Sequence, residues 1–162
     1  MPEDPAPQEN SPLAEACVLD TQVVLEVFWF RDPRARTLRE ALSRGRLRWL
    51  ASPAMRLELA SVLPRLPDRE SAPERGRVLT SFDCWANLRD APPTAPLRCS
   101  DPDDQMFADL ALACGARWLF TRDRALLRLA RPAAKLGCLI VPPERHGALA
   151  PAAARDGARP AG

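Results

Sequence analysis

Lysine is almost missing from this chain. Lys135 is the only one among 23 basic residues, and the rest are arginine. Histidine is limited to His146, which sits in a Pro- and Gly-containing stretch and reads as a surface residue, not a general base. The cysteines, Cys17, Cys84, Cys99, Cys114 and Cys138, are odd in number and form no C-x-x-C pair, which argues against a zinc site and a disulfide framework. Cys17, Cys114 and Cys138 fall inside apolar elements and read as small buried hydrophobes. No apolar run approaches the roughly 18 residues that span a bilayer. The start, Met1-Pro2-Glu3-Asp4-Pro5, is acidic and Pro-rich, the opposite of a signal peptide. These absences point to a reduced, cytoplasmic setting with no membrane partner. Strong net charge is missing too. At +2 the bulk charge selects no polyanionic partner, and the abundance of arginine, with high Ala and Pro, reads first as compositional bias.

What is present suffices for one domain: 162 residues, 46% of them apolar. Residues 1–14 have no hydrophobic period and read as a disordered leader, and 147–162, rich in Ala, Pro, Gly and Arg, as a disordered tail. The folded unit is 15–146. Ala16-Cys17-Val18-Leu19 is an unbroken apolar run that stops at Asp20, as a strand buried on both faces does. Strands are also expected at 47–51, 118–120 and 137–141. Helices are expected after Asp20 (Val24, Leu25, Phe28, Trp29), from Pro33 to near Gly45, after Ser52-Pro53, within 71–88, and from Asp104 to Cys114. Gly115 closes the last of these, and a short helix runs over Leu126–Leu129. Strands alternate with helices, so the expected fold is α/β, a three-layer α/β/α arrangement around a mainly parallel sheet.

In such sheets, sites form outside the carboxyl ends of the strands. Asp20 and Asp123 occupy two such ends. Asp104 stands three residues before Phe107 on the same helical face, and Glu58 borders the buried stripe of Met55 and Val62. Carboxylates gathered at one edge repel unless a cation neutralises them, and oxygen ligands without His or Cys suit Mg²⁺ or Mn²⁺. The acids therefore read as the centre of a metal-dependent phosphodiesterase. Each also has a structural reading: Asp20 and Asp123 as helix caps, Asp104 at a helix dipole, Glu58 reaching for solvent.

The motifs resemble the PIN-domain family, and within it the toxins of bacterial toxin–antitoxin systems. The resemblance covers about residues 16–142. It rests on Val18-Leu19-Asp20-Thr21, on Glu58, on Asp101-Pro102-Asp103-Asp104-Gln105-Met106-Phe107, on Ala111-Leu112-Ala113-Cys114-Gly115-Ala116, and on Leu119-Phe120-Thr121-Arg122-Asp123. It implies a Mg²⁺- or Mn²⁺-dependent endoribonuclease with an RNA substrate, an antitoxin protein as partner, and Asp20, Glu58, Asp104 and Asp123 as the catalytic, metal-binding quartet. It further implies that Thr21 supports the first acid. Asp103 competes with Asp104 for the third position, which the spacing to Phe107 gives to Asp104, and Asp101 and Asp103 read as outer ligands or caps. One residue departs from the family: Gln22 stands where Asn is common after Asp-Thr, which keeps open a scaffold or binding module of weakened activity. A dehalogenase-like phosphatase would need Asp-x-Asp, not Asp20-Thr21-Gln22, and a well-placed lysine; a receiver-type domain would need paired acids near the first strand's start. Between Arg31 and Arg48 lie seven arginines, of which Arg31, Arg34, Arg36 and Arg39 are candidate RNA contacts beside a solvated-face reading. Phe28, Trp29 and Phe30 form an aromatic surplus that suggests a partner or homodimer surface.

Overall fold

The structure, a computed structural model, describes residues 5–68, 74–90 and 92–149. Residues 1–4 of the expected leader, 71–73 of the expected helix region and 150–162 of the expected tail lie outside the described residues.

The elements follow one another as β1 (Glu15–Leu19), α1 (Thr21–Phe28), α2 (Arg36–Ser43), β2 (Leu47–Ala51), α3 (Pro53–Val62), α4 (Arg75–Trp85), β3 (Asn87–Leu88), α5 (Gln105–Ala113), β4 (Trp118–Phe120), α6 (Arg124–Leu127), α7 (Ala130–Lys135), β5 (Leu139–Val141) and α8 (Arg145–Leu149), with 3-10 turns at Pro33–Ala35, Leu63–Arg65 and Pro102–Asp104. All strands are parallel in the order β3-β2-β1-β4-β5, and helices cover both faces. This is the α/β/α architecture that the alternation of apolar runs and helical stripes predicts. β1 lies at the centre, with Cys17 opposite Trp49 on one side and Trp118 on the other. That position explains its unbroken apolar run: Cys17, Val18 and Leu19 are 0–2% exposed. β3 was not expected. It is two residues long, at the sheet edge, and carries no alternation to announce it.

The helix starts follow the sequence closely. Asp20 caps α1 by accepting from the Val23 N–H at 2.9 Å, and Ser52 caps α3 ahead of Pro53. The helix expected from Pro33 begins as a 3-10 turn capped by Asp32, and the chain turns back after α2 at Gly45, where φ is +67°. The Gln8 N–H donates to the Ser43 carbonyl and the Ser11 N–H to the Gly45 carbonyl, so residues 8–11 run across this corner. A Cβ on Gly45 would meet the Glu9 carbonyl oxygen at 2.2 Å. Left-handed backbone and a clash combine there. Gly45→Ala is expected to cost about 2 kcal/mol or more, lowering the melting temperature by roughly 4–8 °C. An unchanged melt would mean that the early segment does not pack on this corner.

Three expectations need correction. Phe28 and Trp29 do not form a free surface: they are 1% and 5% exposed, because β2 and α4 bring aromatic rings over them. Phe28 stacks with Trp49 at 5.8 Å and meets Trp85 edge-on at 5.1 Å. Cys114 is exposed, since it is the C-cap of α5 and not part of its buried stripe, whereas Cys17 and Cys138 are buried as expected. His146 is no surface residue. Pro142 and Pro143 end β5 and turn the chain into α8, whose Gly147 backs onto Thr37 of α2. His146 is 6% exposed, edge-on to Trp118 at 5.1 Å and Phe120 at 5.8 Å, with Nδ1 buried and unbonded. Burial first, then the charge of Arg46, pushes its pKa down to about 4. The imidazole folds neutral, so its contribution is present above its ordinary 6.5 and lost as pH falls through about 4. His146→Leu should flatten that limb of the acid-unfolding curve. An identical acid limb in the variant would place the acid sensitivity elsewhere.

Candidate active site

The carboxyl ends of β1 and β4 lie side by side, joined where the Asp20 N–H donates to the Phe120 carbonyl at 3.1 Å. Directly above them a cleft of about 380 Å³ is lined by Asp20, Thr21, Gln22, Glu58, Asp104, Phe107, Arg122 and Asp123. The four acids singled out in the sequence thus share one cleft, delivered by β1, α3, the turn before α5, and the loop after β4.

Each carboxylate is oriented by something the fold supplies. Asp20 is 5% exposed, with Oδ1 on the Val23 N–H and Oδ2 accepting from the Thr121 hydroxyl. The Thr121 oxygen in turn accepts from the Asp123 N–H at 2.9 Å, so one buried hydroxyl sets both acids. Asp123 caps α6 through the Ala125 N–H at 2.7 Å. Thr21 does not support the first acid: its hydroxyl donates to Glu58 Oε2, because it starts α1 and faces α3 across the cleft. Asp101 accepts from the Asp103 N–H at 3.0 Å and so holds the turn that presents Asp104, while Asp103 is exposed. Gln105 fastens the preceding loop, accepting from the Cys99 N–H at 2.6 Å and donating to the Leu97 carbonyl at 2.8 Å. Gln22 lines the cleft at its exposed rim.

The electrostatics are those of crowded acids. Burial pushes Asp20 up to about 6, against the pull of the Thr121 and Val23 hydrogen bonds and with the charges of Glu26 and Asp123 adding to the rise. Asp104 is pushed up to about 7 by burial, then by the charges of Asp123 and Asp101, its contact with Asp123, and Asp20. Asp104 Oδ2 is buried and has no hydrogen-bond partner. A divalent hard cation would relieve both the repulsion and the orphaned oxygen. Among the described residues, no three acid, His or Cys side chains close on one point as a preformed cage.

Sequence reasoning missed the network beneath the acids. Arg122 donates from Nε to Glu26 Oε1 at 2.6 Å and from Nη1 to Glu144 Oε1 at 2.9 Å. Glu26 is 3% exposed, a buried acid inside α1 whose only sequence signal is a charge in an apolar stretch. Of the candidate RNA contacts, Arg31 and Arg36 are exposed, and Arg34 is paired with Asp32 at 2.8 Å. Arg39 is turned inward. Its Nη1 donates to the Val27 carbonyl at 2.8 Å and its guanidinium lies over Phe28 and Trp85.

Comparison with known proteins bears on the family and the fold. The sequence model of the PIN domain family matches residues 16–125. No curated protein matches the chain. Among solved structures, the chain is similar to one in the crystal structure of VapBC2 from Rickettsia felis bound to a DNA fragment from their promoter. The two are 15% identical with a TM-score of 0.53, over 78% of this chain and 96% of that one. Likeness at that identity speaks to the fold. No helix among the described residues is long and apolar enough to cross a membrane.

Proposed function

The chain belongs to the PIN-domain family, and from that premise we propose that it is a metal-dependent endoribonuclease that hydrolyses phosphodiester bonds of RNA. The observation that carries the reading is the convergence of Asp20, Glu58, Asp104 and Asp123 on one cleft, with Asp104 Oδ2 buried and unbonded. Asp20, Asp104 and Asp123 would hold Mg²⁺ or Mn²⁺. Bound there, the cation supplies a lowered water pKa and charge stabilisation at the leaving oxygen. The chain does the rest. Thr121 keeps Asp20 and Asp123 in fixed orientation toward the cleft. Glu58, held through Oε2 by Thr21, keeps a second oxygen to orient the attacking water. Phe107, 1% exposed, forms the packed floor beneath the acids.

The resemblance to toxins of toxin–antitoxin pairs supports an antitoxin protein as partner and a cytoplasmic setting. A PIN-like scaffold of weakened activity is the second reading, favoured by Gln22 at the rim. Incubating the protein with mixed-sequence single-stranded RNA and Mn²⁺, with an EDTA control and single-stranded DNA in parallel, separates the two. RNA cleavage that EDTA abolishes supports the nuclease. Intact RNA with both Mg²⁺ and Mn²⁺ supports the scaffold.

A further inference from the structure

Among the described residues, Arg122 is the one cation lining the acidic cleft, and two carboxylates hold its guanidinium in different ways. Glu26, 3% exposed, takes Nε from below. Glu144, 42% exposed, lies across the other edge, 2.9 Å from Nη1 and 2.8 Å from Nη2. Nη2 is itself buried and makes no hydrogen bond of good geometry, so Glu144 covers that donor without satisfying it. Glu144 also feels the charge of Arg34, and together the two arginines hold its carboxyl below the usual range. A two-oxygen anion laid along the guanidinium edge is how arginine takes a phosphodiester. A carboxylate as exposed as Glu144 gives up such a pair at little cost, whereas the buried Glu26 cannot.

We propose that Arg122 binds a phosphodiester of the substrate strand, and that Glu144 occupies this place in the free protein and yields it when the strand arrives. The inference rests on the nuclease reading and adds to it a contact that positions the strand. Glu26 stays on Nε and aims the guanidinium throughout. Arg34, 58% exposed and paired with Asp32, lies near enough for its charge to reach the Glu144 carboxylate.

The test reads binding of a short fluorescently labelled single-stranded RNA by anisotropy in EDTA, where no cleavage intrudes. Glu144→Gln should tighten Kd about two- to fivefold. Arg122→Gln is made together with Glu26→Gln, so that no buried charge is left unpaired. This pair should weaken binding about tenfold and reduce the slope of log Kd on log salt by about 0.7. Adding Glu144→Gln to that double variant should then change nothing. With Mn²⁺ present, Glu144→Gln should lower KM with little change in kcat. An unchanged Kd for Glu144→Gln overturns the proposal. So does a tightening that persists without Arg122, which would reflect bulk charge alone. Wild-type protein that cleaves RNA while Glu144→Gln has no effect overturns only this inference. RNA neither bound nor cut by any of these proteins overturns the nuclease reading with it.

Discussion

Asp104→Asn should remove metal-dependent cleavage, by a hundredfold or more, and at the same time make the metal-free protein more stable. The first effect follows from losing a ligand oxygen in a cleft whose catalysis depends on a neutralised acidic cluster; a hundredfold corresponds to about 2.7 kcal/mol of transition-state stabilisation. The second follows from the direction of the pKa shift. Asp104 is raised from 3.8 to about 7. A group whose folded pKa lies above its unfolded value contributes stability that is fully present below about pH 4. That stability is lost as pH rises through about 7. At neutral pH without metal, the ionised carboxylate therefore works against the fold, and Asp20, raised to about 6, adds in the same sense. Asp104 is partly open to solvent, so the cost after screening is about 1–2 kcal/mol. Thermal melts in EDTA should show the wild type losing stability between pH 4 and 7, and Asp104→Asn melting roughly 2–8 °C higher at pH 7. Adding Mn²⁺ should stabilise the wild type and leave the variant almost unmoved. A variant less stable than the wild type in EDTA would mean that Asp104 is an ordinary structural cap.

Arg122→Ala should have the largest effect on stability. It leaves Glu26, 3% exposed and already carrying one unbonded oxygen, as an uncompensated buried charge. Breaking such a pair costs about 3–5 kcal/mol, or roughly 6–20 °C in the melting temperature of a chain this size. Much of that is the penalty on the survivor, not the worth of the bond, so Glu26→Gln added to Arg122→Ala should recover a large part of the loss. If the double variant melts no higher than Arg122→Ala alone, the guanidinium matters for packing beside β4 and not for charge.

The contrast between Asp104 and Arg122 also marks what could be read from the sequence. Asp20 and Asp123 were legible because each ends an apolar run, and a parallel sheet brings strand ends to one edge. Asp104 was legible from its spacing to Phe107. Glu58 was legible as a charge beside a buried stripe. The elements were legible for the same reasons, in β1 and β4 above all. What remained hidden depends on partners far apart in the chain. Thr121 reaches Asp20 across 101 residues and Arg122 reaches Glu26 across 96, and no local pattern encodes either. β3 is too short for alternation, and α8 follows two prolines that read as a stop. His146 therefore reads as a surface residue in the sequence, although it packs on Trp118 and Phe120. The aromatic run at the end of α1 failed for a related reason: a helix apolar on several sides suggests a partner, and the partner is the chain's own β2 and α4.

The central claim is that the four acids form a site for a divalent cation. Calorimetric titration of Mn²⁺ into the wild type and into Asp104→Asn tests it most directly. Saturable binding to the wild type, lost or weakened at least tenfold in the variant, is the expected result. No saturable heat with the wild type, or the same affinity in both proteins, would contradict the account.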